Sequence, residues 1–368
     1  MELLKQQRIL FLSLYTFGLT GGIEKVCRSV NKVLSDFKRI NSIGDYYCMS
    51  MYDSHPDFRY LTAKHCNSFK GNKLTFAFSA VNKGLSSDII ILSHINLLSF
   101  GWLIKKLKPK ARIILFAHGI EIWTPLSNWK RKFLQSVEIW AVSRYTADRI
   151  KQQHEISANN INILNNCLDP FFIIPSKFGK PVELIKRYGL SEDKKILFTL
   201  TRLSSQEKYK GYDQVLAAMK HLPESIHYVL SGKADKAEQQ RINTLIAEYK
   251  LQHRVTLTGY IDDEEVTDHY LLADIFVMPS TAEGFGISFI EASACGCQVI
   301  AGNQDGSTDA LLNGTLGILI DPVNVSELQL AITRSLERPA ASLKQQQTTL
   351  SNFGFSNYKY KFQQRLIN

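Results

Sequence analysis

The chain has 368 residues, of which 45% are hydrophobic and 21% charged, enough for two ordinary domains with a core in each. This composition excludes a disordered chain, and no run of roughly 18 consecutive apolar residues predicts a transmembrane helix. The formal net charge of +10 lies in the first half, because residues 1–175 contain 23 Lys and Arg against 12 Asp and Glu.

A basic first half is typical of proteins that bind nucleic acid, an anionic membrane surface or an acidic substrate. The cations cluster at 64–73, 105–112 and 130–132, and solvated helix faces account for some of them. The chain lacks the aromatic and basic signature of an RNA-recognition sheet, so no nucleic-acid partner is expected.

The six cysteines show no paired spacing of the kind that binds zinc, and a disulfide framework is implausible at this length. We therefore expect reduced thiols and a cytoplasmic protein. Cys295-Gly296-Cys297 is interpreted as a helix end made of small residues rather than as a redox or metal site. The apolar run at 9–14 is not followed by a small-residue cleavage site, so it predicts a first strand and not a signal peptide.

Short apolar runs alternate with helical segments along the first half. Strands are predicted at 8–14, 45–49, 89–93, 112–117 and 139–143, with helices at 23–37 and 102–107. Such alternation predicts a doubly wound parallel sheet. Ser143, at the end of the last of these strands, is expected to cap a helix.

Two of these strands end in residues suited to a ligand. The first strand leads through Gly21 and Gly22 into a helix, a geometry that favours an anion, and the strand at 112–117 is followed by His118. Because ligands gather at the carboxyl ends of parallel strands, both stretches are expected at the same edge of the sheet.

The second half opens with a strand at 196–201, followed by Arg202, a loop and Lys210-Gly211 before a helix. An arginine can bind phosphate oxygens as a fork and a lysine adds a point charge, so Arg202 and Lys210 together are suited to a diphosphate. Further strands are predicted at 226–231, 255–259 and 273–278, and Asp262 to Glu265 with Asp268 are predicted to form the acidic first turn of a helix.

The stretch from Pro279 to Cys297 places Glu283 and Glu291 with seven residues between them. A glycine-rich loop ending at Gly286 predicts a helix beginning at Ile287 and Ser288, whose free N–H groups would face a phosphate. Glu291 lies too deep in that helix to cap it, so it needs a buried partner, which the hydroxyl groups of a ribose would supply. Glu283, in the loop before the helix, would bind the hydroxyl groups of a sugar. A surface loop with two solvated glutamates is the alternative interpretation.

These stretches, in this order, resemble the retaining glycosyltransferases of family 4, the group 1 glycosyltransferases. The resemblance implies the GT-B fold, an α/β architecture of two doubly wound Rossmann-like domains that face each other across a cleft. It implies domains at 1–175 for the acceptor and 176–350 for the nucleotide sugar, with a helix at 351–368 returning to the first domain. The sequence departs from the family where Asn165-Asn166 replaces the usual Asn-Gly, and where Ser231 to Asp235 replaces glycine-acid-glycine.

The resemblance further implies transfer of a hexose from a UDP- or GDP-sugar to a glycan or lipid-linked oligosaccharide, in surface polysaccharide or lipopolysaccharide assembly. No metal or cofactor is expected, and the basic half fits peripheral contact with an anionic membrane. The implied catalytic residues are His118, Arg202, Lys210 and Glu283. The implied substrate-binding residues are Gly21, Gly22, Gly286, Ile287, Ser288 and Glu291. Two alternatives stay open, a non-catalytic basic binding protein and a GT-B phosphorylase or nucleotide-sugar epimerase.

Overall fold

The computed structural model describes Leu4, residues 6–337 and residues 342–367. Contacts divide the chain into two compact units, Met1–Pro170 with Gly354–Asn368, and Phe171–Phe353, which we call unit 1 and unit 2. Each unit contains one parallel sheet with helices around it, so the predicted α/β class with two doubly wound sheets is confirmed.

Within the described residues, the sheet of unit 1 has seven parallel strands in the order β3-β2-β1-β4-β5-β6-β7. Their bounds are β1 Arg8–Ser13, β2 Asp45–Ser50, β3 Cys66–Ser68, β4 Ile89–Leu92, β5 Arg112–Ala117, β6 Glu138–Ala141 and β7 Ile161–Ile163. Every residue of β4 is apolar and buried, the pattern of a strand covered by helices on both faces. The strand order reverses at β1 and β4, which makes their carboxyl ends the topological switch point.

The helices that cover this sheet are α1 Gly22–Arg39, α2 Lys73–Leu85, α3 Leu98–Leu107, α4 Ile120–Trp123, α5 Asn128–Leu134 and α6 Arg144–His154. Ser143 caps α6 as predicted, because its hydroxyl oxygen accepts a hydrogen bond from the Thr146 backbone N–H at 3.0 Å.

The sheet of unit 2 repeats this topology with six parallel strands among the described residues, in the order β10-β9-β8-β11-β12-β13. Its strands are β8 Lys195–Leu200, β9 Ile226–Ser231, β10 Val255–Gly259, β11 Ile275–Met278, β12 Gln298–Gly302 and β13 Ile318–Ile320. Its helices are α7 Val182–Arg187, α8 Tyr212–Met219, α9 Lys236–Glu248, α10 Val266–Leu272, α11 Ile287–Ala294, α12 Ser307–Ala310, α13 Val325–Leu336 and α14 Leu343–Phe353. The order reverses at β8 and β11, which are neighbours in the middle of the sheet.

The last helix, α15 Phe355–Ile367, belongs to unit 1. Phe362 of this helix is fully buried, with its ring centroid 4.9 Å from that of Trp140. The guanidinium group of Arg112 donates hydrogen bonds to the carbonyl groups of Arg365 and Leu366 at 2.7 and 2.6 Å. Carbonyl groups in the last turn of a helix lack helical partners, so Arg112 stabilises the end of α15.

Of the acidic first turn predicted from Asp262 to Glu265 and Asp268, only Asp268 lies in the first turn of α10, and Glu265 is its N-cap. Helix α10 begins at Val266, and the preceding residues form a turn closed by a hydrogen bond from the Glu265 N–H to the Asp262 carbonyl. The Glu265 carboxylate pairs with Arg187 at 2.8 Å instead of serving the helix dipole. Along the described chain, every helix is too short or too polar to cross a membrane.

Candidate functional site

The switch point of unit 2 brings together two loops that carry charged residues. Strand β8 is followed by Thr201 and Arg202, and strand β11 is followed by the loop that contains Glu283. Because the two strands are adjacent and parallel, the loops that follow them leave from the same edge of the sheet and turn in opposite directions. This edge is the place where ligands bind in open α/β sheets.

A buried ion pair joins the two loops. Lys210 ends a short 3₁₀ turn, and its ammonium group contacts Oε2 of Glu283. The side chains are 13% and 16% exposed, so both charges are largely removed from water. Burial alone would lower the pKa of Lys210, but the negative charge of Glu283 outweighs it and raises that pKa above the usual 10.5. The lysine is therefore charged at neutral pH.

Backbone contacts hold this pair in place. The Thr281 N–H donates a hydrogen bond to the Tyr209 carbonyl at 2.9 Å, which ties the 3₁₀ turn to the loop after β11. Gly211 adopts φ +82°, and a Cβ atom at this residue would lie 2.2 Å from the Pro279 carbonyl oxygen. Only glycine fits such a close approach in the left-handed region.

Arg202 has a different environment from Lys210. Its side chain is 70% exposed and pairs with the Glu207 carboxylate at 2.5 Å. Burial raises the pKa of the Tyr209 phenol, and the charges of Arg202, Glu207, Lys210 and Glu283 all act on that hydroxyl. Lys210 is fixed by Glu283, with its Nζ 5.1 Å from the Tyr209 ring centroid, whereas Arg202 lies on the solvent side.

Asp305 is a residue of this site for which no role was predicted. The residue is 1% exposed and follows β12, and its Oδ2 accepts hydrogen bonds from the Ser280 hydroxyl and the Glu283 N–H, both at 2.7 Å. Its Oδ1 accepts from the Ser307 N–H at 2.9 Å. Burial raises the pKa of Asp305 to about 6. An Asp-Gly pair in the loop that follows a buried strand was the signal that could have identified it.

The helix after the loop begins at Ile287, as predicted. Gly286 precedes it with φ +87°, and Ile287 and Ser288 form its first turn. Glu291 lies in the second turn and is 1% exposed, and its Oε2 accepts a hydrogen bond from the Tyr270 hydroxyl at 3.1 Å. Glu291 is thus buried, and the interpretation as a solvated glutamate is wrong for this residue.

In unit 1, the predicted glycines and histidine lie at the carboxyl edge of the sheet. Gly21 is the N-cap of α1 and Gly22 its first residue, while His118 directly follows β5. His118 Nε2 lies 2.9 Å from the Ser93 carbonyl oxygen, which only accepts, so Nε2 carries the proton and Nδ1 is an acceptor. Burial lowers the pKa of His118 to about 4, so the ring is neutral at neutral pH. The Glu121 carboxylate accepts a hydrogen bond from the His118 N–H at 2.6 Å.

The described part of the chain contains no group of three or more His, Cys, Asp or Glu side chains arranged to hold a metal ion. The six cysteines are free thiols, and burial raises the pKa of Cys295 and Cys297, each a buried thiol.

Comparison with known proteins identifies the family of the second half. Residues 182–350 match the model of the glycosyl transferases group 1. The chain is 28% identical over 244 residues to the GDP-mannose-dependent alpha-(1-6)-phosphatidylinositol monomannoside mannosyltransferase of Mycolicibacterium smegmatis, a match covering 62% of each chain. It is 23% identical to the alpha-D-kanosaminyltransferase of Streptomyces kanamyceticus, covering 58% of this chain and 55% of that one. The matched region therefore spans less than two thirds of these relatives.

Solved structures extend the likeness in fold over nearly the whole chain. The structure of Anabaena HepE in complex with UDP-glucose superposes with a TM-score of 0.78 at 18% identity, covering 98% of this chain and 99% of that one. The sucrose-phosphate synthase of Thermosynechococcus elongatus gives a TM-score of 0.78 at 21% identity, covering 98% of both chains. At these identities the likeness shows the fold alone, which is the GT-B fold.

Proposed function

Since the chain carries the domain of the group 1 glycosyl transferases, we propose that it is a retaining glycosyltransferase of family 4. It transfers a hexose from a UDP- or GDP-sugar to a glycan or lipid-linked oligosaccharide in surface polysaccharide or lipopolysaccharide assembly. We assign the donor to unit 2 and the acceptor to unit 1. The observation that carries the proposal is the buried pair of Lys210 and Glu283 at the switch point of unit 2.

The reaction breaks the bond between the anomeric carbon and the donor phosphate, so negative charge develops on the nucleoside diphosphate. Lys210, Arg202 and the N–H groups of Ile287 and Ser288 would stabilise that charge without a metal ion. An ammonium group has three donors, and Glu283 occupies one through a single carboxylate oxygen, which leaves the others for phosphate oxygens. Gly21 and Gly22 would add their N–H groups in unit 1.

The remaining residues would position the sugar and the ribose. Oε1 of Glu283 accepts no hydrogen bond from the described residues, so it is open to sugar hydroxyl groups. The neutral His118 would accept a hydrogen bond from the sugar at Nδ1. Glu291 would take the ribose hydroxyl groups in place of the Tyr270 hydroxyl. Retention follows if the acceptor oxygen bonds to the anomeric carbon on the face that the phosphate leaves, and the acceptor proton passes to a phosphate oxygen.

The test is nucleotide release from a panel of UDP-, GDP- and ADP-sugars with the wild-type chain and the Arg202→Ala, Lys210→Ala and Glu291→Ala variants. One preorganised contact to the transition state is worth about 3–4 kcal/mol, so Lys210→Ala should lower turnover by a factor of about 10²–10³. Lys208→Ala, an exposed lysine of the same turn, is the matched control and should keep turnover.

Two results would contradict the proposal. No release from any donor, together with no donor binding by calorimetry, would favour a non-catalytic binding protein. Release of a sugar 1-phosphate on addition of inorganic phosphate would instead favour a phosphorylase, and conversion of one nucleotide sugar into another would favour an epimerase.

A cytoplasmic location on the inner face of the membrane is part of the proposal, and an aromatic and basic surface of unit 1 supports it. Trp102 on α3 and Trp129 on α5 are 42% and 44% exposed, with ring centroids 6.3 Å apart. Lys106 Nζ lies 5.3 Å from the Trp102 ring centroid and Lys130 Nζ lies 5.9 Å from that of Trp129. Tryptophan favours the membrane–water interface and lysine favours anionic lipid, so these four residues fit an anionic membrane surface.

Sedimentation with vesicles tests this part. The wild-type chain should sediment with phosphatidylglycerol vesicles more than with phosphatidylcholine vesicles, and the Trp102→Ser/Trp129→Ser variant should lose most of that binding. Tyr360→Ser removes another exposed aromatic side chain of unit 1 and should leave binding unchanged. Equal sedimentation with both vesicles would remove the membrane from the proposal.

A further inference from the structure

Glu283 is held by its backbone as well as by its side chain. Its N–H donates a hydrogen bond to Oδ2 of Asp305 at 2.7 Å, and its carbonyl oxygen accepts one from the Gly306 N–H at 2.8 Å. Two consecutive residues of the loop after β12 therefore bind both backbone polar groups of Glu283. The residue that follows it in the loop, Gly284, has no side chain to restrict the backbone there.

The approach of these two segments is close enough to require glycine. A Cβ atom at Gly306 would lie 2.1 Å from the Gly284 carbonyl oxygen and 2.8 Å from that of Glu283. A Cβ atom at Gly302, the last residue of β12, would lie 2.1 Å from the Ser280 carbonyl oxygen. The loop after β11 is thus packed, backbone on backbone, against the end of β12 and the turn that follows it.

The carboxylate of Asp305 is the polar centre of this packing. Besides the Glu283 N–H, it accepts hydrogen bonds from the Ser280 hydroxyl at 2.7 Å and from the Ser307 N–H at 2.9 Å. Hydrogen bonds to an ionised acceptor are stronger than neutral ones, and burial of the carboxylate at 1% exposure strengthens them further. Three donors directed at one carboxylate indicate that Asp305 does more than fill space.

From this geometry we propose that Asp305 is the positioning residue that sets the Glu283 carboxylate against the donor sugar. The inference rests on the proposed function, because it takes Glu283 as the residue that binds the sugar. Asp305 acts through the backbone of Glu283 and touches neither Lys210 nor the phosphate-binding N–H groups in any hydrogen bond that the structure contains. Its loss should therefore weaken recognition of the sugar and spare recognition of the nucleoside diphosphate.

The test compares two dissociation constants for each variant, that of the nucleotide diphosphate sugar and that of the nucleoside diphosphate alone, by calorimetry. Asp305→Asn keeps the shape but replaces one carboxylate oxygen by an NH₂ group, so at least one of the three donors loses its acceptor. A hydrogen bond to a charged group changes affinity by roughly tenfold to a hundredfold. We expect the dissociation constant of the nucleotide sugar to rise by roughly tenfold to a hundredfold, and that of the nucleoside diphosphate to change less than twofold.

Matched variants separate positioning from general disruption. Ser280→Ala removes one donor from Asp305 and leaves the Glu283 contact in place, so it should bind both ligands like the wild type. Glu283→Gln also alters the contact with Lys210, so the comparison uses the ratio of the two dissociation constants, which isolates the contribution of the sugar. This ratio should change in Glu283→Gln at least as much as in Asp305→Asn, and the double variant should change it little more than Glu283→Gln alone. If Asp305→Asn unfolds, Asp305→Ser, whose hydroxyl group still accepts one hydrogen bond, carries the same comparison.

Each outcome decides the matter. Equal weakening for both ligands, or unchanged affinity for both, overturns the role of Asp305 while leaving the proposed function intact. Losses that add fully in the double variant with Glu283→Gln overturn it too. Failure of the wild-type chain to bind any nucleotide sugar instead overturns the proposed function, and this inference with it.

Discussion

The Lys210–Glu283 pair should behave as one unit in the stability of unit 2. We consider Lys210→Met, Glu283→Gln and the double variant. Each single change leaves one largely buried charge without its partner, because both side chains are at most 16% exposed. The double change leaves no charge and conserves most of the volume. We therefore expect the two changes to be strongly coupled: the double variant should lose less free energy of unfolding than the sum of the two single losses.

The magnitude follows from the burial of the two charges. Two unit charges 4 Å apart attract by about 4 kcal/mol at an effective dielectric constant of about 20. Breaking a buried pair by removing one partner typically costs about 3–5 kcal/mol, whereas replacing both partners is often close to neutral. We therefore expect each single variant to lower the free energy of unfolding by about 3–5 kcal/mol, and the double variant by less than either. The raised pKa of Lys210 means that this stability is fully present below pH 10.5 and is lost as the pH rises through the raised value.

The distribution of tryptophan allows the two units to be followed separately. The four tryptophans, Trp102, Trp123, Trp129 and Trp140, lie in unit 1, so urea unfolding monitored by tryptophan fluorescence reports that unit. Far-ultraviolet circular dichroism reports both units. The variants should shift the transition seen by circular dichroism and leave the fluorescence transition unchanged. Single effects that simply add in the double variant would refute the reasoning, as would a loss below about 1 kcal/mol, the range of an exposed pair.

Three further predictions concern packing and pH. Gly211→Ala should lower the thermal midpoint of unit 2, because its Cβ atom would lie 2.2 Å from the Pro279 carbonyl oxygen, while Gly179→Ala, with nothing within 4 Å of its Cβ position, is the control. Phe362→Ala should shift the fluorescence transition of unit 1 by about 3–5 kcal/mol, the usual cost of emptying a buried aromatic site; an unshifted transition would mean that α15 adds nothing to this unit. Burial raises the pKa of Asp305 from 3.8 to about 6. Protonation of Asp305 therefore adds an amount on the order of 3 kcal/mol to the free energy of unfolding below pH 3.8, and this stabilisation is lost as the pH rises to about 6. This dependence of the free energy of unfolding on pH should be missing in Asp305→Asn. The same pH dependence in urea unfolding of the wild type and the variant would contradict the raised pKa of Asp305.

The pattern of the sequence predicted the central elements and missed those at the periphery. The apolar run Ile89–Leu92 predicts its own strand, because a strand covered on both faces is apolar throughout. By contrast, β3 Cys66–Ser68 and β7 Ile161–Ile163 are three residues long, too short to show a period, and depend on pairing with β2 and β6. Helix α2 was not predicted, because Leu74 and Phe78 are 84% and 77% exposed and place apolar residues on its outer face as well as on its inner one.

The sequence predicts which charged residues follow β8 and β11, but not the partners of their side chains. Order and spacing along the chain marked Arg202, Lys210 and Glu283 as suited to a sugar diphosphate. The pairing of Lys210 with Glu283 and the hydrogen bond from Glu283 to Asp305 join loops that follow different strands, 73 and 22 residues apart in sequence. Such contacts depend on how closely the loop backbones approach one another. In the sequence, the only sign of this close approach is the presence of glycines, and glycine also occurs for many other structural reasons.

The two cations proposed for the diphosphate have unequal freedom, and this difference has a consequence for the reaction. Lys210 is fixed by a buried carboxylate and by backbone contacts around Gly211, so its charge is in place before the donor binds. Arg202 is 70% exposed, so its guanidinium group is in contact with water, although its partner Glu207 is only 14% exposed. The guanidinium N–H groups that do not contact Glu207 are free to bind a phosphate oxygen. Lys210 would then supply the preorganised part of the charge stabilisation, while Arg202 would swing onto the diphosphate as the donor arrives. Loss of Lys210 should thus lower turnover more than affinity for the diphosphate, and loss of Arg202 should lower both.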